Sequence, residues 1–342
     1  MERLLITLIL VCTMNNITNA QNPFYGQYHT PHEAVPFDRI ETEHYEPAIL
    51  EGIKLQNAEI EAIIQNPEKA DFTNTIEAFE ESGELLDKVV AVFGNMLSAE
   101  TNDDLQELAQ KIMPLLSEHS NNITLNKKLF ARVKEVYNQK ETLQLTEEQK
   151  QLLENAYNSF IRHGANLEGE AREEYRRLTT ELSKLTLTFS ENNLKETNAY
   201  QMLLTKKESL AGLPEIIIEA AAETAKNEEK EGWAFTLHAP SYIPFMTYSD
   251  NRDLRQKLYM AYNTKCTHDN EFNNIDIVKK IANTRMKIAQ LLGYKDYAEY
   301  TLKKRMAENS KSVYKLLNQL LEAYTPTAQQ EYKAVSYTHL TL

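Results

Sequence analysis

The sequence predicts a mostly α protein built from long helices, and three observations carry that expectation. Only 9 Gly and 10 Pro punctuate 342 residues, too few for a fold of many turns. Along most of the chain the apolar residues recur at steps of three and four, the spacing of one helix face. A hydrophobic content of 42% lets a chain of this length bury a large core, in one large or two ordinary domains.

The first helix is expected from about Glu43 to Gln65, with Pro47 tolerated in its first turn, where no intrahelical bond is lost. Ile76, Phe79, Gly83, Leu86, Val90, Phe93 and Leu97 form one stripe behind a Thr73 cap. Leu105, Leu108, Ile112 and Leu115 repeat the pattern, as do Leu178, Leu182, Leu185 and Phe189 after a break at Gly169. Thr146-Glu147-Glu148-Gln149 is a capping box that opens another helix. A further helix runs from Asn274 to Leu292 and stops at Gly293.

Between these helices the period drops to two. Tyr200, Met202 and Leu204 alternate with their neighbours, and so do Trp233, Phe235 and Leu237, which predicts a small hairpin-like β element within residues 199–238. The intervening Leu213 to Ala225 is helical by composition, so a helical excursion joins the two strands in place of a tight turn. Lys226 to Lys230 reads as a solvated loop. No repeat of solenoid period occurs.

Residues 1–20 read as an export signal: Arg3, the apolar run Leu4 to Cys12, then Thr18-Asn19-Ala20 before Gln21. The run is too short to span a bilayer, and Val11 stands where a lipidated Cys12 would need a small residue. The expectation is an exported, periplasmic bacterial protein with no membrane attachment after cleavage. Cys266 is then its one cysteine, which forbids an intramolecular disulfide. At the other end Leu316, Leu317, Leu320, Leu321 and Tyr324 carry a helix to about Ala334. Residues 335–342, beginning Val335-Ser336-Tyr337-Thr338-His339-Leu340, depart from that composition. They read as a foreign tail, similar to a translated sequencing adaptor, with a natural strand-like terminus as the other reading.

A net charge of −13 argues against nucleic acid and anionic lipid, since an acidic surface repels both. His29-Thr30-Pro31-His32-Glu33 has metal-ligand residue types, yet Pro31 disfavours the helix that would bring them to one face. His44, His119, His163, His238 and His268 stand singly and read as surface or packing residues. The carboxylate pairs Glu80-Glu81 and Glu173-Glu174 belong to solvated helix faces. Ser241 lacks a Gly-x-Ser-x-Gly surround, and Cys266 lacks an identifiable base and reads as a half-buried small residue. The residues therefore assign no catalytic, cofactor-binding or metal position.

Several blocks carry a resemblance in collinear order. They are Asn22-Pro23-Phe24, Pro36-Phe37-Asp38-Arg39-Ile40, Phe72-Thr73-Asn74-Thr75-Ile76, Arg162-His163-Gly164-Ala165-Asn166-Leu167 and Phe189-Ser190-Glu191-Asn192-Asn193-Leu194. The run Trp233 to Met246 with Asn251-Arg252-Asp253-Leu254-Arg255, and Ile281-Ala282-Asn283-Thr284-Arg285, continue them. Together they resemble the thimet oligopeptidase and bacterial peptidyl-dipeptidase family of zinc metallopeptidases. That resemblance implies a helical, two-lobed shell around a deep peptide channel, with zinc at its floor held by a His-Glu-x-x-His helix. No such motif occurs in this sequence.

The resemblance thus implies that residues 21–235 are the amino-terminal helical region and residues 236–334 the beginning of the catalytic domain, stopping before the zinc helix. The expected fold is incomplete: a long-helix bundle forming one side of the channel. Substrates implied are short peptides that lose C-terminal dipeptides, zinc belongs to the full-length enzyme and not to this chain, and the full-length protein is a monomer. An oligopeptidase A-like endopeptidase of the same family is the near alternative. A non-catalytic helical module that binds peptides is the alternative of another class.

Overall fold

The computed structural model describes residues 22–340, so the export signal read in residues 1–20 lies outside the described residues. Helix α1, Thr42–Gln65, starts where the Glu41 N–H donates to His44 Nδ1 at 2.9 Å. Because it begins at Thr42, Pro47 falls in its second turn and not its first.

The single stripe expected behind Thr73 is divided. Asp71 and not Thr73 caps the segment: its carboxylate accepts from Asn74 N–H at 2.7 Å while Asn74 Oδ1 accepts from Asp71 N–H at 3.0 Å. An ionised acceptor outcompetes a hydroxyl for that amide. Phe72–Glu77 then forms a π turn that runs into Ala78–Glu80, and the chain breaks at Gly83, whose φ of 86° suits only a residue without Cβ. Helix α2, Glu84–Ala99, starts after the break. Ile76 consequently packs in one core and Leu86 and Phe93 in another.

Helix α3, Asp103–Thr124, is capped by Asn102, whose Oδ1 accepts from Leu105 N–H at 2.8 Å. Its inner face uses Leu105, Ala109, Ile112 and His119, while Leu115 is exposed. Helices α4, Lys127–Asn138, and α5, Glu147–Arg162, follow, and α5 opens with the expected box between Thr146 and Gln149 at 3.2 and 3.1 Å. The first core joins α1, the π turn, α4 and α5 through Ile60, Ile76, Leu129, Val133, Leu153 and Phe160. The second joins α1, α2 and α3 through Tyr45, Ile49, Val89, Phe93 and Ile112, closed by Phe24. Side chains of this size contribute roughly 1.5–3 kcal/mol each when fully buried.

Helix α6, Gly169–Ala199, packs along α3 with Tyr175 and Leu178 buried, while Phe189 is exposed. It leads into strand β1, Gln201–Leu204, which pairs antiparallel with β2, Trp233–Thr236, in the register Met202 to Phe235. Helix α7, Glu215–Asn227, is the helical excursion between them. Helices α8, Ala239–Tyr248, and α9, Arg252–Asn263, complete a third core of Met202, Leu204, Ala221, Phe235, Phe245 and Leu258, which draws on both sides of residue 236.

Helix α10, Ile275–Leu291, returns to α6 and buries Ile281 and Ile288, with Gly293 past its end as expected. The short α11, Tyr297–Leu302, precedes α12, Ser310–Leu340. That last helix crosses Ala334 without ending and continues through the stretch where the composition changes, so the strand-like reading of this end is corrected. No Gly or Pro lies between Val335 and Leu340 to stop a helix already nucleated upstream. The mostly α fold, with one two-stranded sheet among the described residues, matches the expectation from sequence. Among the described residues no helix is long and apolar enough to cross a membrane.

Candidate functional site

The motif-rich stretch from Trp233 to Arg255 folds as structure. Trp233 to Thr236 form β2, Ser241 Oγ accepts from Thr236 N–H at 3.0 Å and ties the strand to the first turn of α8, and Phe245 meets Phe235 edge-on at 4.6 Å. Asn251 caps α9 by accepting from Leu254 N–H at 3.1 Å, and the Arg255 guanidinium donates to the Ser249 carbonyl. In α10, Ile281 and Thr284 are buried and Arg285 lies over the Tyr297 ring. The residues named here serve packing or capping, and Ser241 Oγ is the acceptor for the Thr236 N–H.

Among the described residues the histidine side chains do not converge. His29 and His32 are exposed, and Pro31–Glu33 forms a single 3-10 turn in which His32 takes φ 57°, ψ 24°. The two rings therefore share no helix face. His119 is buried against Gln56 Oε1 at 2.7 Å, and burial pushes its pKa down. His44 caps α1, His163 bonds the Ser159 carbonyl at 2.8 Å, and His238 meets Asn198 Oδ1 at 3.0 Å. Glu80 and Glu81 are exposed, and Glu174 pairs with Arg177 at 2.7 Å. Among the described residues no three His, Cys, Asp or Glu side chains are arranged to hold a metal ion. The donors present do not fit a zinc shell, which needs three or four ligands at one point.

One cluster was missed in the sequence. Glu196, near the end of α6, is nearly buried, with its side chain 12% exposed. Its Oε1 accepts from His268 Nδ1 at 2.6 Å and from Asn270 Nδ2 at 3.5 Å, and its other oxygen accepts from the Cys266 N–H. Burial pushes this carboxyl up, yet the bonds from His268 and Cys266 outweigh it and hold the pKa below the ordinary value. Cys266 is fully buried and not half-buried as expected from its sequence surround. Burial first, and Glu196 second, push its thiol up to about 11, so the thiolate that chemistry would need is suppressed. No spacing signal joins residues 70 positions apart.

Two cavities lie near such groups. One of about 460 Å³ is lined by Glu196, Tyr200, Leu237, Met260 and His268. A larger one of about 830 Å³ between α1 and α3 is lined by Glu43, Glu46, Leu50, Asp104 and Lys111, with Lys111 bonded to Glu46 at 2.5 Å. The second contains neither His nor Cys.

Fold and site together define a helical scaffold whose distinguishing residues build its elements. Residues 245–339 match the family described as peptidase family M3. The chain is 33% identical over 315 residues to dipeptidyl carboxypeptidase of Escherichia coli (strain K12), covering 92% of this chain and 46% of that protein. It is 30% identical over 314 residues to oligopeptidase A of Salmonella typhimurium, covering 91% and 46%. The Salmonella typhimurium dipeptidyl carboxypeptidase is 35% identical over 288 residues, covering 84% and 42%. The chain is similar to this family's members along most of its own length, as its collinear motifs implied, and it spans about half the length of the curated relatives it matches.

Proposed function

We propose that this chain forms the helical wall of a zinc-dependent peptidyl-dipeptidase that removes dipeptides from the C-termini of short peptides outside the cytoplasmic membrane. The observation that carries the reading is the 33% identity to a dipeptidyl carboxypeptidase sustained over 92% of the chain. In such an enzyme zinc supplies a water nucleophile of lowered pKa. The residues here do not fit the metal, so no step is assigned to them; their part is to shape the channel and exclude folded proteins. Residues 236–334 are read as the opening of the catalytic domain and residues 335–342 as a foreign tail. The chain by itself is inactive, and the complete enzyme is monomeric.

The similarity to oligopeptidase A supports endopeptidase cleavage within the same family as a second reading. Continuing the open reading frame from source DNA tests both. The expected result is a His-Glu-x-x-His codon series in frame after residue 334, and an extended protein that releases C-terminal dipeptides from an amino-blocked tetrapeptide. Cleavage at internal bonds only would favour the oligopeptidase. A frame that ends without the motif would leave the non-catalytic peptide-binding module. For export, the mass of the secreted product is expected to begin at Gln21; an intact Met1 or a lipid on Cys12 contradicts it.

A further inference from the structure

Residues 201–263 pack largely on themselves: β1 with β2, α7 with β2, and α8 with α7, β2 and α9. Among the described residues no comparably broad packing joins this hairpin unit to the helical body, whose nearest element, α6, packs against α3 and α10. The unit is attached by the chain itself at Tyr200, by His238, whose ring meets Asn198 Oδ1 of α6 at 3.0 Å, and by the loop of residues 264–274 that returns to α10. That loop is where the polar cluster around Glu196 lies.

The loop meets one face of α6 at two levels. At its far end, Asn274 Nδ2 donates to the Phe189 carbonyl at 2.9 Å and Asn192 Nδ2 donates to Asn274 Oδ1 at 2.9 Å, a pair of neutral amide bonds. At its near end, one carboxylate receives Cys266 N–H, His268 Nδ1 and Asn270 Nδ2 together. Lys265 adds a bond to Thr197 Oγ1 at 3.1 Å, one residue further along α6. Hydrogen bonds to an ionised, nearly buried acceptor are about twice as strong as neutral ones. Removing that charge leaves three donors competing for a weaker acceptor.

We propose that Glu196 is a latch carboxylate: its negative charge fastens residues 265–270 to α6 and so fixes the hairpin unit on the helical body. The charged and titratable groups facing it are His268 and Cys266 from the loop, Lys265 beside them, and Tyr200 at the junction with β1. Tyr262 of α9 lies beneath Lys265, at 4.5 Å. While the latch is closed, the Cys266 backbone is held at φ 59° with its side chain buried, and Asn274 N–H bonds the Cys266 carbonyl at 2.8 Å. Neutralising Glu196 frees residues 265–270 and brings the thiol to solvent, while the amide pair at Asn192 keeps residue 274 in place.

The test uses the full chain carrying Glu196→Gln. N-ethylmaleimide labelling at neutral pH is followed by mass spectrometry on the peptide that contains Cys266, which separates it from Cys12, together with hydrogen exchange across residues 264–274. The expected result is labelling and exchange at residues 265–270 faster by about tenfold, with exchange of Leu129 to Val136 in the first core unchanged. Unchanged rates at Cys266 overturn the proposal. So does equal acceleration in the first core, because Glu196 would then support the fold globally and not the latch. If Glu196→Gln does not fold by circular dichroism, His268→Ala is read instead: it removes one donor and keeps the charge, a several-fold rise at Cys266 is expected, and no rise overturns the proposal.

Discussion

Gly52 and His119 show how single residues carry constraints that local pattern does not reveal. A Cβ on Gly52 would sit 2.9 Å from the Leu86 Cα, so α1 and α2 cross at a distance only glycine allows. Gly52→Ala is expected to cost roughly 1–3 kcal/mol, as overpacking does, read as a lower urea midpoint at unchanged slope. For His119, burial holds the folded pKa below the ordinary imidazole value. The neutral ring is the form the fold favours, so its contribution to stability is complete above the unfolded value and is lost as pH falls through the folded one. The urea midpoint is expected to fall between pH 8 and pH 5, and to fall less in His119→Gln. A variant as acid-sensitive as the parent would show that another group dominates. The sequence showed Gly52 only as a residue within a helix and His119 only as a lone histidine, because both roles depend on the neighbouring helix.

At the scale of elements, local signals were legible wherever the deciding bond was local. The Thr146 box, the stop at Gly293 and the change to period two at Tyr200 and Trp233 each rest on residues within one element, and each was recovered. The stripe from Ile76 to Leu97 was read as one helix because its spacing continues across Gly83, while the Asp71–Asn74 cap and the left-handed Gly83 divide it between two cores. Exposure also differs along the last helices. Ile281 and Ile288 are buried against α6, whereas Leu317, Leu320, Leu321 and Tyr324 of α12 are exposed. Helix α10 also exposes apolar side chains, at Ile275, Val278 and Met286, but its inner face is covered. Hydrogen exchange is expected to be slow through Ile281 to Ile288 and fast through Leu317 to Tyr324, since protection follows burial and packing. Equal strong protection of both in a monomer would mean that α12 has a partner within this chain.

For the molecule as a whole, family and fold class were legible because they rest on many residues in order, each weak alone. The Glu196 cluster was not, because folding brings it together from positions 70 apart with no spacing of its own. Acid provides a further check on that cluster. Its carboxyl is held below the ordinary value, so the stability it contributes is present above the unfolded carboxylate pKa and is lost as pH falls through the folded one. Glu196→Gln is expected to be weaker than the parent at pH 7 and to approach it toward pH 3 in urea midpoint. A constant gap would remove the charge from the account.

The central proposal is that the described residues build helical scaffold and do not themselves assemble a zinc site. Titrating the full chain with zinc against a competing chelator, by calorimetry at neutral pH, tests it most directly. Only weak, non-stoichiometric uptake is predicted, since His29 and His32 share no face and His119, His238 and His268 each meet a partner of their own. One zinc bound per chain more tightly than about micromolar, the range of a built site, and lost on His29→Ala with His32→Ala, would contradict the account.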